Sequence, residues 1–243
     1  PRPESGASQK KTDSNDVMIP VAEGNAVGGR FHMGGKDKPN VLFFHGNGEI
    51  VSDYDMLGPL YNKDGLNFLP VDYRGYGRST GKPSVSAMMN DCHAILDFVE
   101  RWLDENNYTG GLILMGRSLG SASVLELASA YPQRVSGLIV ESGFAYTEPL
   151  LRILGVNTRS LGFDEKTDGI GNLEKIKSYA GPTLIIHAEN DHIIPFSDGK
   201  ALYEASPAEE KALLKIPGAN HNDIFLHGFS DYMQAVINLA GKV

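Results

Sequence analysis

The stretch "LILMGRSLG", residues 112–120, decides how the chain is read. Four apolar residues run into Gly116-Arg117-Ser118-Leu119-Gly120, a Gly-x-Ser-x-Gly. A serine between two glycines at the end of an apolar run fits a tight strand-to-helix turn that presents its hydroxyl as a nucleophile. The need for glycine is steric: the turn brings neighbouring backbone together, and Cβ atoms at 116 and 120 would crowd it. The amides opening the following helix are left free, near the positive end of its dipole. Short patterns of Gly and Ser also recur by chance, so the surrounding chain has to decide.

That chain alternates. Apolar runs of strand length occupy 40–46 ("NVLFFHG"), 66–77 ("LNFLPVDYRGYG"), 111–116, 135–142 ("VSGLIVES"), 182–191 ("PTLIIHAEND") and 211–218 ("KALLKIPG"). Residues 17–33 read as two short strands around a Glu-Gly-Asn turn. Pro70 marks an irregular or edge position in its strand. Helical patterns lie between. In 85–103, Val85, Met88, Met89, Cys92, Ile95, Val99 and Trp102 recur in steps of three and four, one apolar stripe. Residues 119–130, 196–205 and 222–240 read as further helices. Apolar strands alternating with helices predict an α/β fold, a mostly parallel central sheet flanked by helices. The expected organisation is a flexible polar tail at 1–15 and a single domain over 16–243. A small cap or insertion, 144–178, falls between the fourth and fifth long strands, and a loop-rich excursion of that length is more often functional than idle.

Composition narrows the class. The 243 residues are 41% apolar and 21% charged, ordinary for a globular chain. A net charge of −8 with no Lys/Arg block argues against nucleic acid or an anionic membrane surface as partner. The single cysteine, Cys92, excludes an internal disulfide and cysteine-ligated zinc, which suits a reducing, cytoplasmic setting. No apolar run approaches the roughly 18 residues of a membrane span. The chain starts at Pro1 without a methionine, so its start says nothing about an upstream targeting segment.

A serine hydroxyl needs a base. Among seven histidines, His93 sits in a helical pattern and His187 in a strand, both structural positions. His32 belongs to the early strands, and His227 lies about one turn into the last helix. His221, in "PGANHND" (217–223) after the last strand, is placed to reach Ser118. An orienting carboxylate is then required. Asp191 after the fifth long strand leads, Glu189 and Asp198 share its region, and Glu141 after the fourth is the alternative. The order Ser118, Asp191, His221 is the one expected on such a sheet. His192 beside Asp191 would suit a metal site, but no third ligand follows at a sensible spacing.

Charge stabilisation falls to "FFHGNGE" (43–49), where the amides of Asn47 and Leu119 are the expected oxyanion donors. The same glycines do not make a phosphate cradle, because the G-x-G-x-x-G spacing and the Walker lysine are missing. In "EPLLRILGV" (148–156), Leu150, Leu151 and Leu154 form either a short helix packed on the core or one wall of an acyl pocket. Asp72 and Arg74, in "DYRGYGRS" (72–79), read as shaping the loop beside the oxyanion turn. The Arg117 side chain is expected to point away from the reaction.

With these segments in place the chain resembles the α/β-hydrolases, and more narrowly the Bem46-like group with its domain-containing proteins of the 13 and 17 types. The matching residues are His45-Gly46-Asn47-Gly48, Asp72 to Ser79, Gly116 to Gly120, "NLEKIKSYAGPTLIIHAENDHIIP" (172–195) and "GANHND" (218–223), within a resemblance covering roughly 17–240. It implies Ser118 as nucleophile, Asp191 as acid, His221 as base, and Asn47 and Leu119 as oxyanion donors. Gly48 stands where relatives often have Ala. No N-terminal anchor or cysteine cluster is present, so the membrane attachment and depalmitoylation of eukaryotic relatives do not carry over. The expected activity is hydrolysis of a small-molecule carboxylic ester or thioester through an acyl-enzyme, without metal or organic cofactor. An amidase or peptidase on the same triad, or a catalytically silent binding protein, are the alternatives.

Overall fold

The computed structural model describes residues 2–4, 15–153 and 155–243. Among these, eight strands form one sheet: β1 (Asp16–Pro20), β2 (Ala26–Arg30), β3 (Asn40–Phe44), β4 (Asn67–Val71), β5 (Leu112–Arg117), β6 (Gly137–Glu141), β7 (Thr183–Ala188) and β8 (Lys211–Ile216). Their spatial order is β1-β2-β4-β3-β5-β6-β7-β8. β1 and β2 form an antiparallel hairpin, β2 runs antiparallel to β4, and β4 through β8 are mutually parallel. From β3 the chain moves outward to β4 and then returns to the far side of β3 to lay down β5. The loops after β3 and β5 therefore leave the sheet as neighbours at this reversal, the place where open α/β sheets bind ligands.

Strand periodicity builds two cores. On β3, β5 and β6, Leu42, Phe44, Leu114, Leu138 and Val140 face one layer, while Val41, Phe43, Ile113, Met115 and Ile139 face the other. α2 (Val85–Glu105), α3 (Gly120–Ala130) and α7 (Phe196–Ala205) cover the first face; α1 (Gly58–Lys63) and α8 (Ile224–Ala240) cover the second. The segment between β6 and β7 carries three short helices, α4 (Thr147–Ile153), α5 (Glu165–Asp168) and α6 (Asn172–Ile176).

Three local expectations change. Pro70 is not at the sheet's edge: β4 pairs with β3 on one side and β2 on the other. The irregularity is real, however. His32 and Phe68 exchange both backbone hydrogen bonds, and two residues along Pro70 has no N–H to give β2. Val85 does not belong to the buried stripe of α2. It is 52% exposed in the first turn, where the Ser84 hydroxyl caps the helix by accepting the Ala87 amide. Of the tail expected over 1–15, Arg2–Glu4 is held against the body. Arg2 pairs with Asp53 at 2.6 Å, and the Glu4 amide donates to the Gly77 carbonyl. Residues 5–14 lie outside the described residues.

α3 begins hard against the end of β3. A Cβ on Gly120 would stand 2.1 Å from the Phe44 carbonyl oxygen, and one on Gly116 would stand 2.4 Å from the Gly120 carbonyl. Both obstacles are backbone and cannot rotate away. Gly120→Ala should cost roughly 1–3 kcal/mol or more, lowering Tm by about 2–12 °C. A thermal melt superimposable on that of the parent would contradict this packing.

Candidate active site

β5 ends in the strained turn. Ser118 sits at φ +51°, a left-handed conformation unusual for a residue with a side chain. Its amide donates to the Glu141 carbonyl at the end of β6 (2.8 Å), and its own carbonyl accepts the Ser121 hydroxyl (2.6 Å) and amide (3.0 Å). These bonds hold the strained residue in place. The Ser118 side chain emerges at the carboxyl end of the sheet, with the residue 7% exposed.

His221 and Asp191 meet it there. The Ser118 hydroxyl lies 3.1 Å from His221 Nε2, and His221 Nδ1 lies 2.7 Å from Asp191 Oδ2. The carboxylate partner selects the tautomer, with Nδ1 protonated and Nε2 free to accept from the serine. Asp191 Oδ1 accepts the amides of Ile193 (3.0 Å) and Ile194 (2.8 Å). Burial raises the Asp191 carboxyl, but the His221 hydrogen bond and the two amides outweigh it and leave the group below its ordinary value. His187 lies beneath this loop. Burial pushes its imidazole down, so it stays neutral, and its Nε2–H donates to the Ile194 carbonyl at 2.8 Å.

The other carboxylates considered from sequence have different partners. Glu189 binds Lys215 and the Gly218 amide. Asp198 accepts the Ala145 amide. Glu141 is buried against Arg117 and Tyr232.

The loop after β3 faces the serine. Tyr73 donates to the His45 carbonyl (2.6 Å), and Tyr76 donates to Asn47 Oδ1 (2.8 Å). Asp72 Oδ1 accepts the Val51 amide (3.0 Å) and lies 3.2 Å from His45 Nε2. Arg74 grips Asp91 of α2 with two bonds of 2.6 and 2.7 Å. Asp72 thus braces the loop after β3 and Arg74 anchors the loop after β4 to α2, and both are buried. Among the described residues, the Asn47 and Leu119 amides donate to no protein group, and both residues line the cavity over Ser118.

That cavity measures about 430 Å³. Leu150 forms part of its wall; Leu151 is half-buried but does not line it, and Leu154 lies outside the described residues. Sequence reasoning missed, among the lining residues, Tyr73 and Tyr76, Val85 and Met88 of α2, Ile153 of α4, and Ile193. Val85 left one trace, an apolar residue in the capped first turn, ahead of the positions that pack inward.

A family model described as "Serine aminopeptidase, S33" matches residues 35–161. The alpha/beta hydrolase domain-containing protein 17C of Mus musculus is 32% identical over 90% of this chain and 66% of its own length. Its Xenopus tropicalis counterpart is 33% identical over 90% of this chain and 68% of its own. The chain belongs to the α/β-hydrolase family. It spans about two thirds of the length of these curated relatives. Among solved α/β-hydrolase structures, Est1E of Butyrivibrio proteoclasticus with bound ferulic acid superposes with a TM-score of 0.75, at 18% identity, covering 91% of this chain and 96% of that one. Among the described residues of this α/β-hydrolase, no helix is long and apolar enough to cross a membrane.

The depressed Asp191 carboxyl makes a linkage prediction. Its ionised form contributes stability that is fully present above the unfolded value of about 4 and is lost as pH falls through the folded value. An Asp191→Asn variant lacks this contribution. The gap in urea midpoint between parent and variant should therefore narrow as the pH is lowered below about 4. A gap that stays constant or widens would contradict the assigned direction.

Proposed function

We propose that this α/β-hydrolase cleaves carboxylic esters or thioesters through an acyl-enzyme on Ser118. The observation that carries the proposal is the unbroken line from Asp191 through His221 to Ser118, at 2.7 and 3.1 Å. Both distances lie within the hydrogen-bond reach a nucleophile and its base require.

The steps follow from that line. The Ser118 hydroxyl attacks the substrate carbonyl carbon as His221 Nε2 takes its proton. Asp191 holds the imidazole in orientation and stabilises the imidazolium that forms. The carbonyl π pair moves onto oxygen, and this oxyanion is received by the amides of Asn47 and Leu119, the second at the start of α3. As the tetrahedral intermediate collapses, the alcohol or thiol leaves with the proton from His221. Water then attacks the acyl-enzyme, giving its proton to His221, and collapse returns that proton to Ser118 and releases the acid. Arg117 takes no part in these bond changes.

The cavity favours an apolar acyl group on a neutral substrate. Tyr73, Tyr76, Val85, Met88, Leu150 and Ile153 are among its lining residues. Glu49 is the one carboxylate among the described lining residues, and its oxygens are committed to Arg117, Tyr54 and the Gly46 amide. No carboxylate there is free to hold the amino terminus of a peptide, which supports ester or thioester cleavage over aminopeptidase action.

A p-nitrophenyl ester series from acetyl to palmitoyl tests the reading. Turnover should peak at one chain length and fall by about 10⁴-fold or more in Ser118→Ala. Leu150→Trp, which fills the cavity, should move the peak to shorter acyl chains. Turnover retained in Ser118→Ala would overturn the mechanism, and an unmoved peak would place the acyl chain elsewhere.

A further inference from the structure

Arg117 precedes Ser118, lines the cavity above it and is only 8% exposed. It reaches three separate segments. Nη2 donates to the His221 carbonyl at 2.8 Å and lies 3.3 Å from Asn222 Oδ1. Nη1 pairs with Glu49 Oε1 at 2.7 Å, and Nε pairs with Glu141 Oε1 at 3.1 Å. The second oxygen of each carboxylate is also engaged. Glu49 Oε2 accepts the Gly46 amide (2.6 Å) and the Tyr54 hydroxyl (2.5 Å), while Glu141 Oε2 accepts the Tyr232 hydroxyl (2.7 Å).

The oxyanion loop is seated on this ion pair. A Cβ on Gly46 would stand 2.8 Å from Glu49 Oε2 and 2.9 Å from Arg117 Nη1, so the loop backbone packs directly against it. One planar group therefore touches the backbone of the base on one arm. On the other arm it reaches, through Glu49, the amide just before Asn47.

We infer that Arg117 is a positioning residue that fixes the oxyanion loop and the His221 loop relative to each other across Ser118. The inference rests on the acyl-enzyme reading and adds a residue to it. A guanidinium is suited to the task because its donors form a rigid planar fork, so bonds to two partners also set the distance between them. A lysine in its place supplies a point charge to the carboxylates but no such fork. Burial works against the charge on Arg117, and the nearby Glu141 and Glu49 more than restore it. The charge is retained among groups with little exposure, Glu141 buried and Glu49 partly so, and their bonds hold the guanidinium in one orientation.

The test compares parent, Arg117→Lys, Arg117→Met and Ser118→Ala on p-nitrophenyl butyrate, with active sites counted by fluorophosphonate labelling. Arg117→Met should lower kcat per labelled site by about 10²–10³-fold, the scale of losing an oxyanion contact, with KM within about threefold of the parent. Arg117→Lys should keep the fold, read by its melt, yet recover only part of kcat, and it carries the test if the methionine variant does not fold. Parental kcat per labelled site in Arg117→Lys would overturn the inference, whatever its Tm. So would a rise in KM with kcat unchanged. If turnover does not depend on Ser118 at all, the acyl-enzyme reading fails first and the inference falls with it.

Discussion

The close approach of α3 to the end of β3 is the constraint on which the site depends. With Gly120 against the Phe44 carbonyl and Gly116 against Gly120, the chain has no room for a side chain at position 116 or 120. The turn left between them forces Ser118 to φ +51°. A non-glycine residue held there costs on the order of 1–3 kcal/mol, and the bonds to Glu141 and Ser121 offset it locally. The turn lifts the hydroxyl out of the sheet. It also brings the Leu119 amide and the loop after β3 to the same side, because β3 and β5 are adjacent. The positions proposed for nucleophile and oxyanion donors thus depend on one packing contact.

The remaining parts are held by buried polar groups rather than by the apolar core. His45 and Asp72, Arg74 and Asp91, and Arg117 with Glu49 and Glu141 are ion or hydrogen-bond pairs in or against the loops at the carboxyl end of the sheet. A buried charge pair is weak evidence for stability, since apolar residues of similar volume often do as well. Its value here is geometric. Arg117 ties the Glu49 loop to the end of β5, Asp91 ties the loop after β4 to α2, and His45 with Asp72 ties the loops after β3 and β4 together. The backbone around Ser118 is thereby held in place before substrate arrives.

Much of this was legible in the sequence because it is local or periodic. Apolar runs of strand length alternating with helical stripes gave the helix-flanked sheet, and the glycines at 116 and 120 gave the elbow through sterics alone. His221 and Asp191 could be selected because each follows a strand directly, where the sheet delivers side chains to one end. What was not legible depends on contacts between distant segments. α1 is six residues long and has no stripe to reveal it. Val85 of α2 and Ile153 of α4 share a site only because the fold places both helices around the cavity over Ser118. Arg117 was expected to point away from the reaction; it lines the cavity over Ser118, and its partners lie at 49, 141, 221 and 222, positions that no spacing rule connects.

The central claim is a covalent bond to Ser118, and trapping that bond tests it most directly. The protein would be mixed with a p-nitrophenyl ester of the preferred chain length, quenched in acid within the first turnovers, digested and analysed by mass spectrometry. The account predicts one peptide heavier by the acyl group, with fragmentation placing it on Ser118 and with the adduct absent once substrate is exhausted. Rapid turnover with the acyl group on another residue, or an adduct on Ser118 that never turns over, would contradict it.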